Sequence, residues 1–279
     1  MIEAKKKFGQ NFLIDSTVLS KIIQSMPNTK RKLVEIGPGL GDLTQVLLEQ
    51  NSVKAYEVDK DLCVHLRKKF HKEIKENRLE LVEGDVLECF QKGSLEGEPY
   101  DVVANLPYYI ATKIILEALE DKMCKSMLVM IQKEVAQKFS ALPKTKEFSS
   151  LSILSQSIAD VKLLFDVDPS SFEPQPKVVS SIVSIVKKKE FSGDQNSLFD
   201  NESDYNEFKR YLRVSFSSPR KTWIKNISSA YDKTSALELL KKNNISITSR
   251  PHELCVTDHL NLFREILKIK VQNGKEYDK

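Results

Sequence analysis

The sequence predicts an α/β fold: a mostly parallel sheet with helices on both faces, followed by a small helical domain. Three observations carry this. Short apolar runs alternate with helical patterns through the first half of the chain. A polar stretch interrupts that rhythm near residue 190. Beyond it the apolar spacing is helical throughout.

The elements follow in order. "RKLVEIG" is a strand and "LTQVLLEQ" a helix; "VKAYEVD" and "KDLCVHLRKKF" repeat the pair. "RLELVEGD" and the valine-rich "YDVVANLPY" are the third and fourth strands, "ATKIILEALED" a helix, "SMLVMIQ" a fifth strand and "KEVAQKFSAL" a helix. "VKLLFDV" and "VVSSIVSIV" are two more strands. The Pro-rich link between them is too short for a crossover helix, so they pair antiparallel. "KKKEFSGDQNSLFDNESD" reads as a linker. "YNEFKRYLRVSF", "ALELLKKNN" and "TDHLNLFREILKIK" are helical, and Ser249-Arg250-Pro251 starts a helix with Pro251 in its first turn. The expected domains are 1–189 and 190–279.

Composition sets bounds. The chain has 279 residues, of which 41% are hydrophobic and 29% charged, as in a soluble protein with a proper core. No apolar run is long enough to cross a bilayer, and the lysine-bearing N-terminus lacks the apolar core of an export signal. Cys63, Cys89, Cys124 and Cys255 form no CxxC pair, which fits reduced thiols in a cytoplasm. The four histidines show no ligand spacing, so no metal is expected. No long apolar seam is evident, and a monomer is expected.

Net charge is only +4, but its distribution is uneven. "KRYLRVSFSSPRKTWIK" carries Lys209, Arg210, Arg213, Arg220, Lys221 and Lys225 without one acidic residue, and interleaves Tyr211, Phe216 and Trp223. Two readings stand: a solvated helix face over core aromatics, or a contact with a polyanion such as RNA.

"VEIGPGLGDLT" follows a strand and opens a helix, the setting of a nucleotide loop. Its spacing is G-x-G-x-G, which is neither the dinucleotide fingerprint nor a P-loop. The next strand ends in Glu57, twenty residues after Gly37, where a carboxylate can accept both hydroxyls of a ribose. The third strand ends in "EGD", which puts Asp85 at the same edge to accept from an adenine amine. Gly37, Glu57, Asp85 and Asn105 stand at successive strand ends and converge at the carboxyl edge of the sheet. No basic residue meets a pyrophosphate there, and Glu35 and Asp42 suit a cation. S-adenosylmethionine has the right parts: adenine, ribose, an amino-acid tail and a sulfonium.

"NLPY" then has a chemical meaning. An exocyclic adenine amine is a poor nucleophile, because its lone pair is delocalised into the ring. Two acceptors outside the ring plane would draw it towards tetrahedral. The Asn105 side-chain oxygen can be one, and the carbonyl of Leu106 or of Pro107 the other. Pro107 fixes the turn that aims it. Tyr108 offers a stacking face to a base swung out of its helix.

These stretches are similar, from end to end, to the small-subunit ribosomal RNA adenine dimethyltransferase family. "KKKFGQNFLID" resembles its N-terminal motif, "EIGPGLGDLT" its cofactor loop and "NLPYYI" its catalytic motif. "IQKEVAQKFSA" and "FEPQPKVVSSIV" resemble later motifs, and "SFSSPRKTWIKNI" and "SRPHEL" those of its C-terminal domain. DNA adenine methyltransferases usually carry proline where Leu106 stands.

The resemblance implies a Rossmann-like class I methyltransferase sheet, mostly parallel with its last strand antiparallel. It implies dimethylation of two adjacent adenosines near the 3′ end of small-subunit rRNA, in a 30S assembly intermediate, with a role in 30S biogenesis. It also implies S-adenosylmethionine contacts at Asn11, Leu13, Gly37, Glu57, Asp85 and Asn105, with Asn11 and Leu13 in an N-terminal segment folded over the cofactor. Residues alone would make that segment a frayed basic arm. The family further suggests that Phe172 faces the target base opposite Tyr108; packing beside a Pro-rich loop is the equal alternative. Two departures lie in segments expected to face the substrate: Pro174-Gln175-Pro176 replaces a triple proline, and Ser149-Ser150 replaces a Gly-Arg pair. A large-subunit rRNA adenine dimethyltransferase and a non-catalytic ribosome assembly factor are the alternatives.

Overall fold

A computed structural model describes residue 5 and residues 9–188, 198–199 and 201–274. Residues 6–8 of the N-terminal motif, and 189–197 and 200 of the expected linker, lie outside the described residues.

The chain starts with β1 (Phe12–Leu13), α1 (Ser16–Ser25), β2 (Lys32–Ile36), α2 (Asp42–Leu48), β3 (Val53–Glu57) and α3 (Lys60–Lys69). It continues through α4 (His71–Lys75), β4 (Leu79–Glu83), α5 (Val86–Lys92), β5 (Tyr100–Asn105), α6 (Ala111–Glu120) and β6 (Cys124–Gln132). Next come α7 (Lys133–Ser140), α8 (Ser150–Ile158), β7 (Ala159–Val167), β8 (Phe172–Glu173) and β9 (Ser180–Lys187). The helices α9 (Glu202–Ser215), α10 (Trp223–Ile227), α11 (Lys233–Lys242) and α12 (Val256–Gly274) follow.

Contacts divide the chain into Met1–Ala136 with Asp160–Lys187, and Gln137–Ala159 with Lys188–Lys279. A single cut at 190 leaves Gln137–Ala159 with the first part; by contacts that segment goes with the second.

The first unit holds a seven-stranded sheet in the order β4-β3-β2-β5-β6-β9-β7. The five strands β4, β3, β2, β5 and β6 are mutually parallel, and β9 runs antiparallel to β6. The expected sheet is therefore present, with its last strand reversed. β5 sits between β2 and β6 and is covered on both faces, which is why it reads as a continuous apolar run. Its one buried charge, Asp101, is held by Arg31 Nε (2.9 Å), Thr29 Oγ1 (2.7 Å) and Ser126 Oγ (2.6 Å). β7 lies at the sheet margin and shows alternating burial, as an edge strand should. Parallel connection brings the carboxyl ends of β4, β3, β2 and β5 to one edge.

The N-terminal segment is not a frayed arm where it is described. Phe12 and Leu13 pair with Glu173 and Phe172 in a two-stranded antiparallel sheet, and both are buried. Ile14 N–H donates to the Ser171 carbonyl, and Ser171 Oγ to Asp15 Oδ2.

In the second unit α8 is a helix that sequence patterns do not announce. Its serines favour turns, yet three of the four find a carbonyl partner. Ser155 Oγ donates to the Leu151 carbonyl, Ser157 Oγ to Leu154 O and Ser152 Oγ to Lys138 O. Ser149, expected in a substrate-facing loop, is instead the N-cap of α8.

Two of the three aromatics of the basic stretch are core, and Phe216 is half-buried against the His259 ring. Tyr211 and Trp223 are fully buried, and Tyr211, Phe208, Phe199 and Phe263 pack ring against ring. The readings of Lys209–Lys225 thus divide by residue type. Arg210, Arg213, Arg220, Lys221 and Lys225 are exposed, while Lys209 is half-buried with its ammonium over the Tyr205 ring.

A directed hydrogen-bond relay crosses this core. Trp223 Nε1–H donates to Tyr211 Oη (3.2 Å), and His259 Nδ1 lies 3.0 Å from that hydroxyl. His259 Nε2 lies 2.9 Å from the Pro251 carbonyl, which can only accept. Nε2 therefore carries the proton and Nδ1 accepts from the tyrosine. Pro251 opens a 3-10 turn, Pro251–Glu253, so the "SRPHEL" motif ends the relay. His259 is 0% exposed, and burial pushes its imidazole down from 6.5 to about 4. An unfolded chain takes up a proton below 6.5 that the folded chain refuses until about 4. Stability should fall across that window by on the order of 3 kcal/mol, at about 1.4 kcal/mol per pH unit. Urea denaturation at several pH values checks this. His259→Gln, which keeps one donor and one acceptor, should flatten the slope.

Candidate functional site

A cavity opens at the carboxyl edge of the sheet, in the first unit. The six residues expected to hold the cofactor, Asn11, Leu13, Gly37, Glu57, Asp85 and Asn105, all line it, as do Leu106, Pro107 and Tyr108.

The glycine loop joins β2 to α2. Gly39 has φ +59°, and a Cβ there would lie 2.8 Å from the Phe12 ring. Only glycine lets the loop turn this way and leaves room for the N-terminal strap above it. Gly41 has φ +85° and caps α2.

Glu57 ends β3 at 4% exposure. Its Oε2 accepts from Gly39 N–H (3.3 Å) and its Oε1 from Asp59 N–H (2.9 Å). One carboxylate thus fixes the glycine loop and the start of α3. Burial raises its carboxyl above the ordinary range, against the pull of those two amides. Glu35, 1% exposed, also lines the cavity and accepts from Thr44 Oγ1 at 2.6 Å. Burial, opposed by Thr44 and reinforced by Glu57, pushes it up to about 8. Asp85 caps α5 by accepting from Leu87 N–H (2.9 Å).

Among the described residues the lining carboxyls are Glu35, Asp42, Glu57 and Asp85, and no described lysine, arginine or histidine joins them. Such a wall holds a ligand with net positive charge or many N–H and O–H donors, and repels a phosphate.

Asn105 ends β5. Its Nδ2 donates to the Asn11 carbonyl at 3.1 Å, which turns the amide so that nitrogen faces the strap. Its Oδ1 is buried and has no hydrogen-bond partner among the described residues. A buried acceptor left unpaired costs about 1–3 kcal/mol unless a ligand meets it. Leu106 N–H donates to Met130 O, and the Pro107 carbonyl accepts from Ile110 N–H (3.1 Å) in a turn. Of the two carbonyls open as second acceptor, Pro107 O is thus taken into the turn. Tyr108 is half-buried, and its hydroxyl lies 2.6 Å from Ser180 Oγ at the start of β9.

Phe172 does not join this set. It is 1% exposed, packs in the core with Leu13 and Ile182, and is not among the lining residues. The structure favours the packing alternative. Two contributors escaped the sequence reading, Gln10 and Asp59; their partners lie about fifty residues apart in the chain.

Among the described residues no group of histidines, cysteines and carboxylates could hold a metal, and no helix is long and apolar enough to cross a membrane.

A family model described as ribosomal RNA adenine dimethylase matches residues 1–268. The chain is 49% identical over 263 residues to ribosomal RNA small subunit methyltransferase A of Sulfurimonas denitrificans, covering 94% of each chain. It is 46% identical over 276 residues to the protein of that name from Campylobacter jejuni strain RM1221, covering 99% of this chain and 98% of the other. Among solved structures it resembles a dimethyladenosine transferase from Plasmodium falciparum, with TM-score 0.77 and 26% identity over 92% of this chain and 98% of that one.

Proposed function

The chain belongs to the ribosomal RNA adenine dimethylase family, and on that premise we propose that it dimethylates the exocyclic amines of two adjacent adenosines near the 3′ end of small-subunit rRNA. The methyl donor is S-adenosylmethionine. The observation that carries this reading is Asn105, whose nitrogen is tied to the strap and whose buried oxygen, at the cavity, has no partner among the described residues.

The residues present fit that cofactor. A wall of carboxyl groups with no cation among the described lining residues suits its net positive charge, and the glycines at Gly37 and Gly39 let backbone approach it. Glu57 would accept from the ribose hydroxyls, Asp85 from the adenine amine, and Asn11 and Leu13 would cover the ligand. The cofactor supplies an electrophilic methyl group on its sulfonium.

The protein's own part is to prepare the nucleophile. Asn105 Oδ1 and the Leu106 carbonyl each accept one N–H of the target amine and turn its lone pair out of the ring. Tyr108 stacks on the extruded base, its hydroxyl held by Ser180, and stacking of this kind is worth about 1–3 kcal/mol. No general base is required, since the proton leaves to water after transfer. Preorganised dipoles and positioning supply the rate.

Arg210, Arg213, Arg220, Lys221 and Lys225, with Lys209 beside them, would hold RNA phosphates in a 30S assembly intermediate. Phosphate contacts release counterions, so affinity should fall steeply with salt. Replacing Arg220 and Lys221 together by alanine should weaken binding at low salt and lower the salt slope by about 2, near 1 per lost contact. Filter binding from low to moderate salt reads this. We place the protein in the cytoplasm as a monomer.

Labelled cofactor offered with 30S subunits, 50S subunits or DNA tests the substrate. Transfer to 30S alone supports the reading, and transfer to 50S alone replaces it with a large-subunit enzyme.

A further inference from the structure

Asp59 does more than a helix cap requires. It is 2% exposed and caps α3 through Oδ1, which accepts from Asp61 N–H at 3.1 Å. The same oxygen takes Lys5 Nζ at 2.6 Å, and Oδ2 takes Gln10 Nε2 at 3.1 Å. Burial pushes its carboxyl up, but the bonds from Lys5 and Gln10 outweigh that and hold it below the usual range. It is an anion at any working pH.

Gln10 is used at both ends, because its Oε1 accepts from Lys5 N–H at 2.7 Å. The next residue, Asn11, presents the carbonyl that takes Asn105 Nδ2. Just beyond, Phe12 and Leu13 are paired to β8. The Asn11 carbonyl therefore hangs between two anchors: strand pairing on one side and the Asp59 clamp on the other.

We propose that Gln10 and Asp59 are positioning residues for methyl transfer, which fix the Asn11 carbonyl and through it the orientation of the Asn105 amide. The proposal rests on the reading of Asn105 as an acceptor for the target amine. With the clamp loosened, the amide can turn over and offer N–H where an oxygen is needed. A donor then faces a donor, and the nucleophile is not prepared.

Asp59→Asn is the informative change, because asparagine also caps helices and α3 is spared. Gln10→Glu is its complement. In the double variant the donor moves to position 59 and the acceptor to position 10, which restores the bond with reversed polarity. Two readouts are taken on the full chain. One is hydrogen exchange of the Asn105 side-chain amide by nitrogen-15 NMR, assigned with Asn105→Ala. The other is the turnover number and the KM for cofactor with 30S substrate.

Each single variant should exchange the Asn105 amide faster and lose about tenfold in kcat at saturating cofactor, the worth of one hydrogen bond. The double variant should recover both. Wild-type protection and kcat in the single variants overturn the inference. So does a rise in KM with kcat unchanged, which would make the strap a cover only. Lost protection with full turnover removes Asn105 as the amine acceptor, and the positioning role with it. If Asn105→Ala itself turns over normally, the underlying reading fails whatever the clamp does.

Discussion

Asn105→Ala is expected to slow methyl transfer about 100- to 1,000-fold, the range for removing one preorganised dipole from a transition state. The side chain has two jobs. Its nitrogen ties β5 to the strap through Asn11, and its oxygen is a buried acceptor with no partner among the described residues. Alanine removes both. The lost bond to Asn11 should cost stability only about 0.5–1.5 kcal/mol, so the circular dichroism spectrum and RNA binding should stay close to wild type. Cofactor affinity should fall by far less than the rate. Single-turnover kinetics at saturating cofactor separate the two quantities. A rate within a few-fold of wild type would mean that the amide is structural.

Glu57→Ala should weaken S-adenosylmethionine binding by about two orders of magnitude, since hydrogen bonds to a charged group are worth about 1.5–3 kcal/mol each. The effect is large because this carboxylate works in two directions. It faces the cavity as the ribose acceptor, and it holds the Gly39 and Asp59 amides behind it. Alanine also leaves those buried amides unpaired, at about 1–3 kcal/mol each. Glu57→Gln separates the roles. Burial raises the folded carboxyl above its unfolded value, so the ionised form costs stability at neutral pH, a cost that disappears as pH falls through the folded pKa. A neutral amide of the same shape escapes that cost but keeps a single acceptor oxygen, so its NH2 meets the N–H of Gly39 or of Asp59 donor to donor. Glu57→Gln should therefore lose less stability than Glu57→Ala, yet still bind cofactor more weakly than wild type. Calorimetric titration and thermal melts on the same sample read both. Reduced stability with unchanged affinity would make Glu57 a structural residue.

The carboxyl edge of the sheet was legible because its signals are local. A short apolar run followed by a turn residue marks a strand end, and Gly37, Glu57, Asp85 and Asn105 each stand at one. Parallel connection then does the assembling. Contacts between remote segments were not legible. Phe12 and Leu13 are ordered by pairing with Phe172 and Glu173, more than 150 residues away, and only family resemblance placed Asn11 and Leu13 over the site. Asp59 reads as a helix cap, and nothing near it announces Lys5 and Gln10. Phe172 sits beside a Pro-rich loop, and its burial is decided by the strap and by β9. The serine-rich α8 defeats propensity because tertiary packing and bonds to carbonyls make up for poor helix formers. In the basic stretch, charge was visible but burial was not. Tyr211 and Trp223 belong to a relay that ends at His259 and Pro251, far along the chain.

The most direct test uses 30S subunits from a strain lacking this modification. They are incubated with the purified protein and labelled S-adenosylmethionine, and the product nucleosides are mapped by mass spectrometry. The expected result is two adjacent dimethyladenosines in the 3′-terminal region of the small-subunit RNA, absent when Asn105→Ala replaces the wild-type protein. Wild-type protein that leaves 30S unmodified, or puts its methyl groups only on 50S RNA, would contradict it.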